Sequence, residues 1–313
     1  MRVAIFGAFG TIGRAVAAEL LRRGHGVRAV GRSEAKLREA FPSGDVERVA
    51  ADVATPEGCA RASAGIDAIV YALGLPYTAK AFEAYAPMMR LAVDAARAAD
   101  VGQLILVTNV YPYGRPQTAT VEETHPRNPA SIKGRHRKEQ EDVALAANDP
   151  AGLKTLTLRL PDFYGPHADL SLGNRVIESA LAGKPAQLLG PIDTPHEFVF
   201  TPDVAPVICD LLERPALFGR PFNLAGPASI TMRQFAAKAY AAAGTPLRVQ
   251  AAPPWMVRAF GLFSPLMREL AEMSYLQTTP VLLDDSALGA VLPLRKTPYD
   301  EGIRLTLDYL RNR

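Results

Sequence analysis

The feature that most constrains this chain is a run of three glycines, Gly7, Gly10 and Gly13, set between a short apolar stretch and an amphipathic one. Val3 to Phe6 reads as a strand. Thr11 to Arg23 carries Ile12, Val16, Leu20 and Leu21 near helical spacing, and Gly24 follows as a stop. A strand that turns through glycines into a helix leaves backbone N–H groups without partners at the helix N-terminus. With no side chains in the way, a pyrophosphate can come close to them. A G-x-x-G-x-x-G loop in this setting predicts a βαβ unit with a dinucleotide over its first turn.

The rhythm continues. Val27 to Val30, Val46 to Ala50, Ala68 to Ala72, Leu104 to Thr108 and Thr155 to Leu160 read as strands. Helical stretches separate most of them: Ser33 to Ala40, Pro56 to Ser63, Ala81 to Ala99 and Ser131 to Ala147. Such alternation means a parallel sheet covered on both faces, a doubly wound α/β fold. After Leu160 proline and glycine become frequent, and apolar segments persist. This predicts a smaller, loop-rich lobe, with strands at Glu197 to Phe200 and Pro221 to Leu224 and helices at Val204 to Leu212 and Met232 to Ala243. The expected division is a dinucleotide-binding part over 1–165, to which 196–225 returns, and a substrate lobe over 166–195 and 226–313.

Composition narrows the function. With 313 residues, 48% of them hydrophobic, the chain can bury a full core. Thirty-five basic against 32 acidic side chains leave too small an excess to imply a nucleic-acid or membrane partner. The basic run Lys133 to Lys138 is short and meets Glu139, Glu141 and Asp142 at once. Cys59 and Cys209 stand apart, so reduced buried thiols are expected and no metal site. Neither a secretory leader nor a membrane span is legible, so the expected setting is the cytoplasm.

The end of the second strand sets cofactor choice. A carboxylate there would grip a ribose diol. This chain has Gly31-Arg32-Ser33, and a guanidinium beside a hydroxyl suits a 2′-phosphate, so NADP is expected over NAD. Asp52 and Val53 close the third strand, near the place of an adenine.

These motifs together resemble the extended short-chain dehydrogenase/reductase superfamily, the NAD-dependent epimerases and dehydratases. Gly7 to Gly13 is similar to its glycine loop, and Asp67 to Ala72 to its fourth strand "D-x-V-I-H-x-A". Leu158 to Pro166 resembles "L-R-P-x-N-V-Y-G-P", Glu197 to Val204 resembles "D-F-V-Y-V-D-D-V", and Phe222-Asn223-Leu224 resembles "Y-N-L". The resemblance implies a seven-stranded parallel sheet, a small C-terminal substrate lobe and a homodimer joined through two long helices. It places the cofactor against Gly7, Phe9, Gly10, Thr11, Ile12 and Gly13, then Arg32, Asp52 and Val53. Ala72, Leu73, Thr108 and Pro161 would touch it from the later strand ends.

The family's catalytic set is Ser or Thr, Tyr and Lys, and this chain departs at all three. The hydroxyl position of "S-S-x-x-V-Y-G" falls on Asn109. The "Y-G-R-S-K-x-x-x-E" helix lies over Lys133 to Glu141, where Lys133 replaces the Tyr and Arg137 the Lys. Asn109 can polarise a substrate oxygen, and Arg137 can hold the nicotinamide ribose. Tyr111, Tyr113 or Lys133 would supply the proton, with Tyr164 and His196 on the substrate side. His196 stands where nucleotide-sugar enzymes often carry Arg, and is a weaker clamp for a diphosphate. Pro253 to Met256, Phe260, Leu262, Phe263, Leu266 and Met267 make the lobe apolar. The reading is an NADP-dependent oxidoreductase acting on a small carbonyl or enone. The competing readings are an NAD-holding sugar epimerase or dehydratase, and a dinucleotide sensor without turnover.

Overall fold

The structure, a computed structural model, describes residues 1–253, 255, 256, 259 and 264–313. Pro254, Phe260, Leu262 and Phe263 of the expected apolar lobe lie outside the described residues.

Seven parallel strands form the central sheet: β1 (Arg2–Phe6), β2 (Gly26–Gly31), β3 (Val46–Ala50), β4 (Ala68–Tyr71), β5 (Gln103–Asn109), β6 (Lys154–Leu160) and β11 (Pro221–Asn223), in the order β11-β6-β5-β4-β1-β2-β3. The expected doubly wound fold is therefore present. β4 is buried along its whole length, and β5 at all but its last residue, because helices cover both faces. In β1, Val3 and Ile5 enter one core and Ala4 and Phe6 the other. The first core packs under α1 (Thr11–Arg22), α2 (Glu34–Ala40) and α8 (Thr201–Leu212). The second packs under α3 (Pro56–Ser63), α5 (Tyr85–Ala98) and α6 (Ile132–Ala146). Thr55 and Ser131 accept backbone N–H bonds from the first turns of α3 and α6, which fixes where those helices begin.

The helix expected over Ala81 to Ala99 is two helices, α4 (Ala79–Phe82) and α5. Pro87 explains the break: it is tolerated in the first turn of a helix but obstructs continuation toward the preceding one. The strand expected over Glu197 to Phe200 is also divided. β9 (Pro195–His196) pairs antiparallel with β12 (Ile230–Thr231). β10 (Phe198–Phe200) pairs with β7 (Asp162–Tyr164) and stays out of the central sheet, whereas the Phe222 strand joins it beside β6. Pro161 separates β6 from β7 because it has no N–H to continue the ladder.

A third core, with Tyr164, Phe198, Phe235, Tyr299 and Ile303, gathers α7 (Leu172–Leu181), α9 (Met232–Ala243) and the last helix, Tyr299–Arg311. Beside it, β8 (Ala186–Leu189) pairs in parallel with β13 (Val249–Ala252). Among the described residues, no helix is long and apolar enough to cross a membrane, and no group of His, Cys, Asp and Glu could hold a metal ion.

Candidate active site

The strand order reverses between β1 and β4, and the glycine loop emerges at the carboxyl end of β1, at that switch point. Gly7 has φ +93, and a Cβ on it would stand 2.7 Å from Ala72 O. A Cβ on Gly13 would collide with Gly7 O. Both contacts are internal to the fold. Gly10 differs: its Cβ would meet only Gly7 O, at 3.2 Å. The need for glycine there comes from whatever approaches from outside. Gly10 caps α1 without a side-chain bond, and the first turn of α1 has no acidic residue. The cradle therefore fits an anionic pyrophosphate.

The flanking positions extend this cradle. The Phe9 ring lies against Gly31, where a Cβ would collide with it. Arg32 is exposed and has no hydrogen bond or ion pair among the described residues. Asp52 is exposed, and its Oδ1 accepts from Ala54 N at 3.0 Å, while Val53 beside it is buried. Thr11 Oγ1 donates to His167 O at 2.8 Å and so ties the loop after β7 to the glycine loop. Ile12 packs into the core below. Ala72 and Leu73 are half-buried at the end of β4, and Pro161 is buried at the end of β6. Thr108 Oγ1, at the end of β5, is buried with no partner among the described residues.

Beyond the cradle, Asn109 Oδ1 accepts from Tyr111 N at 3.1 Å, which turns the side-chain amide nitrogen outward from that bond. The hydroxyls of Tyr111 and Tyr77 lie 3.4 Å apart. Tyr77 is exposed and Tyr111 half-buried. Burial, then the neighbouring Tyr77 and Asp162, pushes the Tyr111 phenol well above its ordinary value. Burial does the same to Tyr77. Asp162 follows the end of β6 and bonds His196 Nε2 at 3.0 Å. Asn109 pairs with Leu160 in the sheet, so Tyr111 and Asp162 leave adjacent strands at equivalent steps.

The other expected residues have different surroundings. Tyr113 is fully buried: its hydroxyl donates to Asn223 Oδ1 at 2.8 Å and accepts from Arg159 Nη1 at 2.7 Å. Tyr164 is fully buried in the third core, with its hydroxyl against Gly302. Lys133, also fully buried, is ion-paired to both Glu269 and Glu272 on the helix Pro265–Glu272. Arg137 stacks 4.2 Å from the Tyr85 ring centroid and donates to Gln140 Oε1 at 2.7 Å, while its Nε has no partner among the described residues. The site thus gathers Asn109, Tyr111 and His196 from the expected set, and adds Tyr77 and Asp162.

A family model described as "NAD dependent epimerase/dehydratase family" matches residues 3–225. The chain belongs to that family. A comparison with the curated proteins gives no match. Among solved structures, the Thermus thermophilus UDP-glucose 4-epimerase complex with NAD is 25% identical, with a TM-score of 0.81 over 99% of each chain. The Thermotoga maritima UDP-glucose 4-epimerase with UDP-glucose is 18% identical, with a TM-score of 0.83 over 100% of this chain and 99% of that one. The dTDP-glucose 4,6-dehydratase DesIV of Streptomyces venezuelae, with NAD bound, is 19% identical, with a TM-score of 0.82 over 100% and 98%. Family and cradle agree on a nicotinamide dinucleotide as the cofactor class, and place the chain among enzymes that use one.

Proposed function

We propose that this family member is an NADP-dependent oxidoreductase that reduces a small carbonyl or enone. The observation that carries the reading is the Tyr111 hydroxyl. Tyr113 is committed to Arg159 and Asn223, and Lys133 to two glutamates, whereas the Tyr111 hydroxyl bonds only the Tyr77 hydroxyl among the described residues.

A bound nicotinamide dinucleotide supplies the hydride. The chain's own groups do the rest. The Asn109 amide donates to the substrate oxygen and stabilises charge as it develops there. Tyr111, a neutral phenol, gives that oxygen its proton, and the carbonyl becomes an alcohol. Tyr77 hydrogen-bonds the phenolate oxygen left on Tyr111. Arg32, exposed and without a partner among the described residues, meets the 2′-phosphate, which favours NADP. Thr108 Oγ1 and the Arg137 guanidinium hold the cofactor from the β5 side. Residues 1–165 with 196–225 form the cofactor part, and 166–195 with 226–313 the substrate lobe. The assembly is a cytoplasmic homodimer paired across α5 and α6. The test is NADPH oxidation over a panel of ketones, aldehydes, enones and oxo acids, with Tyr111→Phe as the control. Loss of turnover in that variant with NADPH binding retained supports the reading.

A further inference from the structure

The carboxylates of Glu269 and Glu272, on the helix Pro265–Glu272, converge on Lys133. Glu269 Oε2 accepts from Ala79 N at 2.9 Å and also pairs with the Lys133 ammonium. Glu272 is bound more fully. Its Oε2 lies 2.5 Å from Lys133 Nζ, and its Oε1 accepts from Lys133 N at 3.2 Å and from Ile132 N. One carboxylate thus spans an ammonium and the free N–H groups that open α6, a helix of 15 residues. Glu269 already neutralises Lys133, so Glu272 is a second negative charge on a single ammonium. Tyr275, 3% exposed, keeps a hydroxyl with no partner among the described residues. It lies beside Ser131, the cap of α6, and beside Glu272; burial pushes it up to about 12 against the opposing pull of Ser131, and the Glu272 charge adds to the rise.

This arrangement stands next to the proposed proton donor. The first turn of α6 packs on the Tyr111 turn, since a Cβ on Gly134 would lie 2.8 Å from Tyr111 O. The Lys133 ammonium sits 5.2 Å from the Tyr77 ring centroid.

We infer that Lys133, the N–H groups of Ile132 and Lys133 and the Tyr275 hydroxyl form a carboxylate-binding subsite, and that Glu272 fills it as an internal surrogate until a substrate carboxylate displaces it. The inference rests on the reductase reading and names its substrate class: an oxo acid or unsaturated acid, with its carboxylate on Lys133 and its carbonyl toward Asn109 and Tyr111. The two-oxygen fit of Glu272 is the reason to name a carboxylate and not a phosphate.

The test needs neither cofactor nor turnover, so its failure is separate from failure of the reductase reading. Benzoate and inorganic phosphate are titrated calorimetrically into the wild type, Glu272→Ala, Glu272→Gln and Glu272→Ala/Lys133→Met, each with its fold checked by circular dichroism. Freeing the subsite should tighten benzoate binding by about tenfold or more, the scale of one charge-assisted contact. Benzoate should then bind more tightly than phosphate, and the added Lys133→Met should remove the gain. Glu272→Gln keeps the side-chain volume and should give a smaller gain, so the comparison survives if Glu272→Ala folds poorly. Equal benzoate affinity in the wild type and both single variants overturns the inference, as does a gain that persists without Lys133. A preference for phosphate overturns the choice of a carboxylate.

Discussion

Arg159 and Glu141, both sealed from solvent, are joined by two hydrogen bonds to Glu141 Oε2, 2.8 and 3.1 Å long. This pair links β6 to α6, and Arg159 passes the connection on to the Tyr113 hydroxyl. Removing one partner of a buried pair strands the other charge. Glu141→Ala should therefore lower stability by about 3–5 kcal/mol in urea unfolding. Tyr113→Phe should cost about 1–3 kcal/mol and leave NADPH affinity unchanged, because that hydroxyl serves the fold.

The cradle makes its own prediction. Gly13→Ala puts a methyl into Gly7 O, an internal clash, and should both destabilise the protein and weaken dinucleotide binding. Gly10→Ala meets far less of the protein. It should keep the melting temperature within a few degrees and lose dinucleotide binding, read by quenching of protein fluorescence with NADPH.

The proposed preference for NADP rests on Arg32. Arg32→Ala should weaken NADPH by roughly 10- to 150-fold, the equivalent of a charged hydrogen bond worth about 1.5–3 kcal/mol, and leave NADH nearly untouched. Equal losses for both cofactors would show that Arg32 does not contact the 2′-phosphate.

Glu197 gives stability a pH dependence. Burial pushes its carboxyl from the ordinary 4.5 up to about 7, against two backbone N–H bonds from Leu283 and Gly226. The native state holds this proton more tightly than the unfolded chain does. Its contribution is whole below the unfolded value and is lost as pH rises through about 7, by at most about 3 kcal/mol at roughly 1.4 kcal/mol per unit. Urea midpoints measured at pH 5 and pH 8 should differ less in Glu197→Gln than in the wild type.

Much of this was legible in the sequence because it depends on local pattern. The glycine loop, the strand ends and the strand–helix alternation are each set by neighbours a few residues away. The position of Asn109 could be read from its motif. Tyr77 and Asp162 could not: Tyr77 comes from the loop between β4 and α4, and Asp162 opens the short strand β7, whose pairing with β10 no local periodicity encodes. The surroundings of Lys133 depend on Glu269 and Glu272, more than 130 residues along the chain, and only the folded lobe brings them together. Tyr113 and Tyr164 are chemically equivalent to Tyr111 on paper. Packing and partners separate them: Tyr113 is sealed in and bonded to Asn223 and Arg159, and Tyr164 lies inside the third core, which only the packed molecule decides.

The central claim is that Tyr111 gives the proton in a reduction driven by NADPH. Its most direct test follows the loss of NADPH absorbance with the purified protein across the carbonyl, enone and oxo-acid panel. The account predicts turnover with at least one of these, falling by about 10²- to 10⁴-fold in Tyr111→Phe with NADPH affinity unchanged. A protein that binds NADPH tightly yet oxidises none of it on any member of the panel would contradict the account.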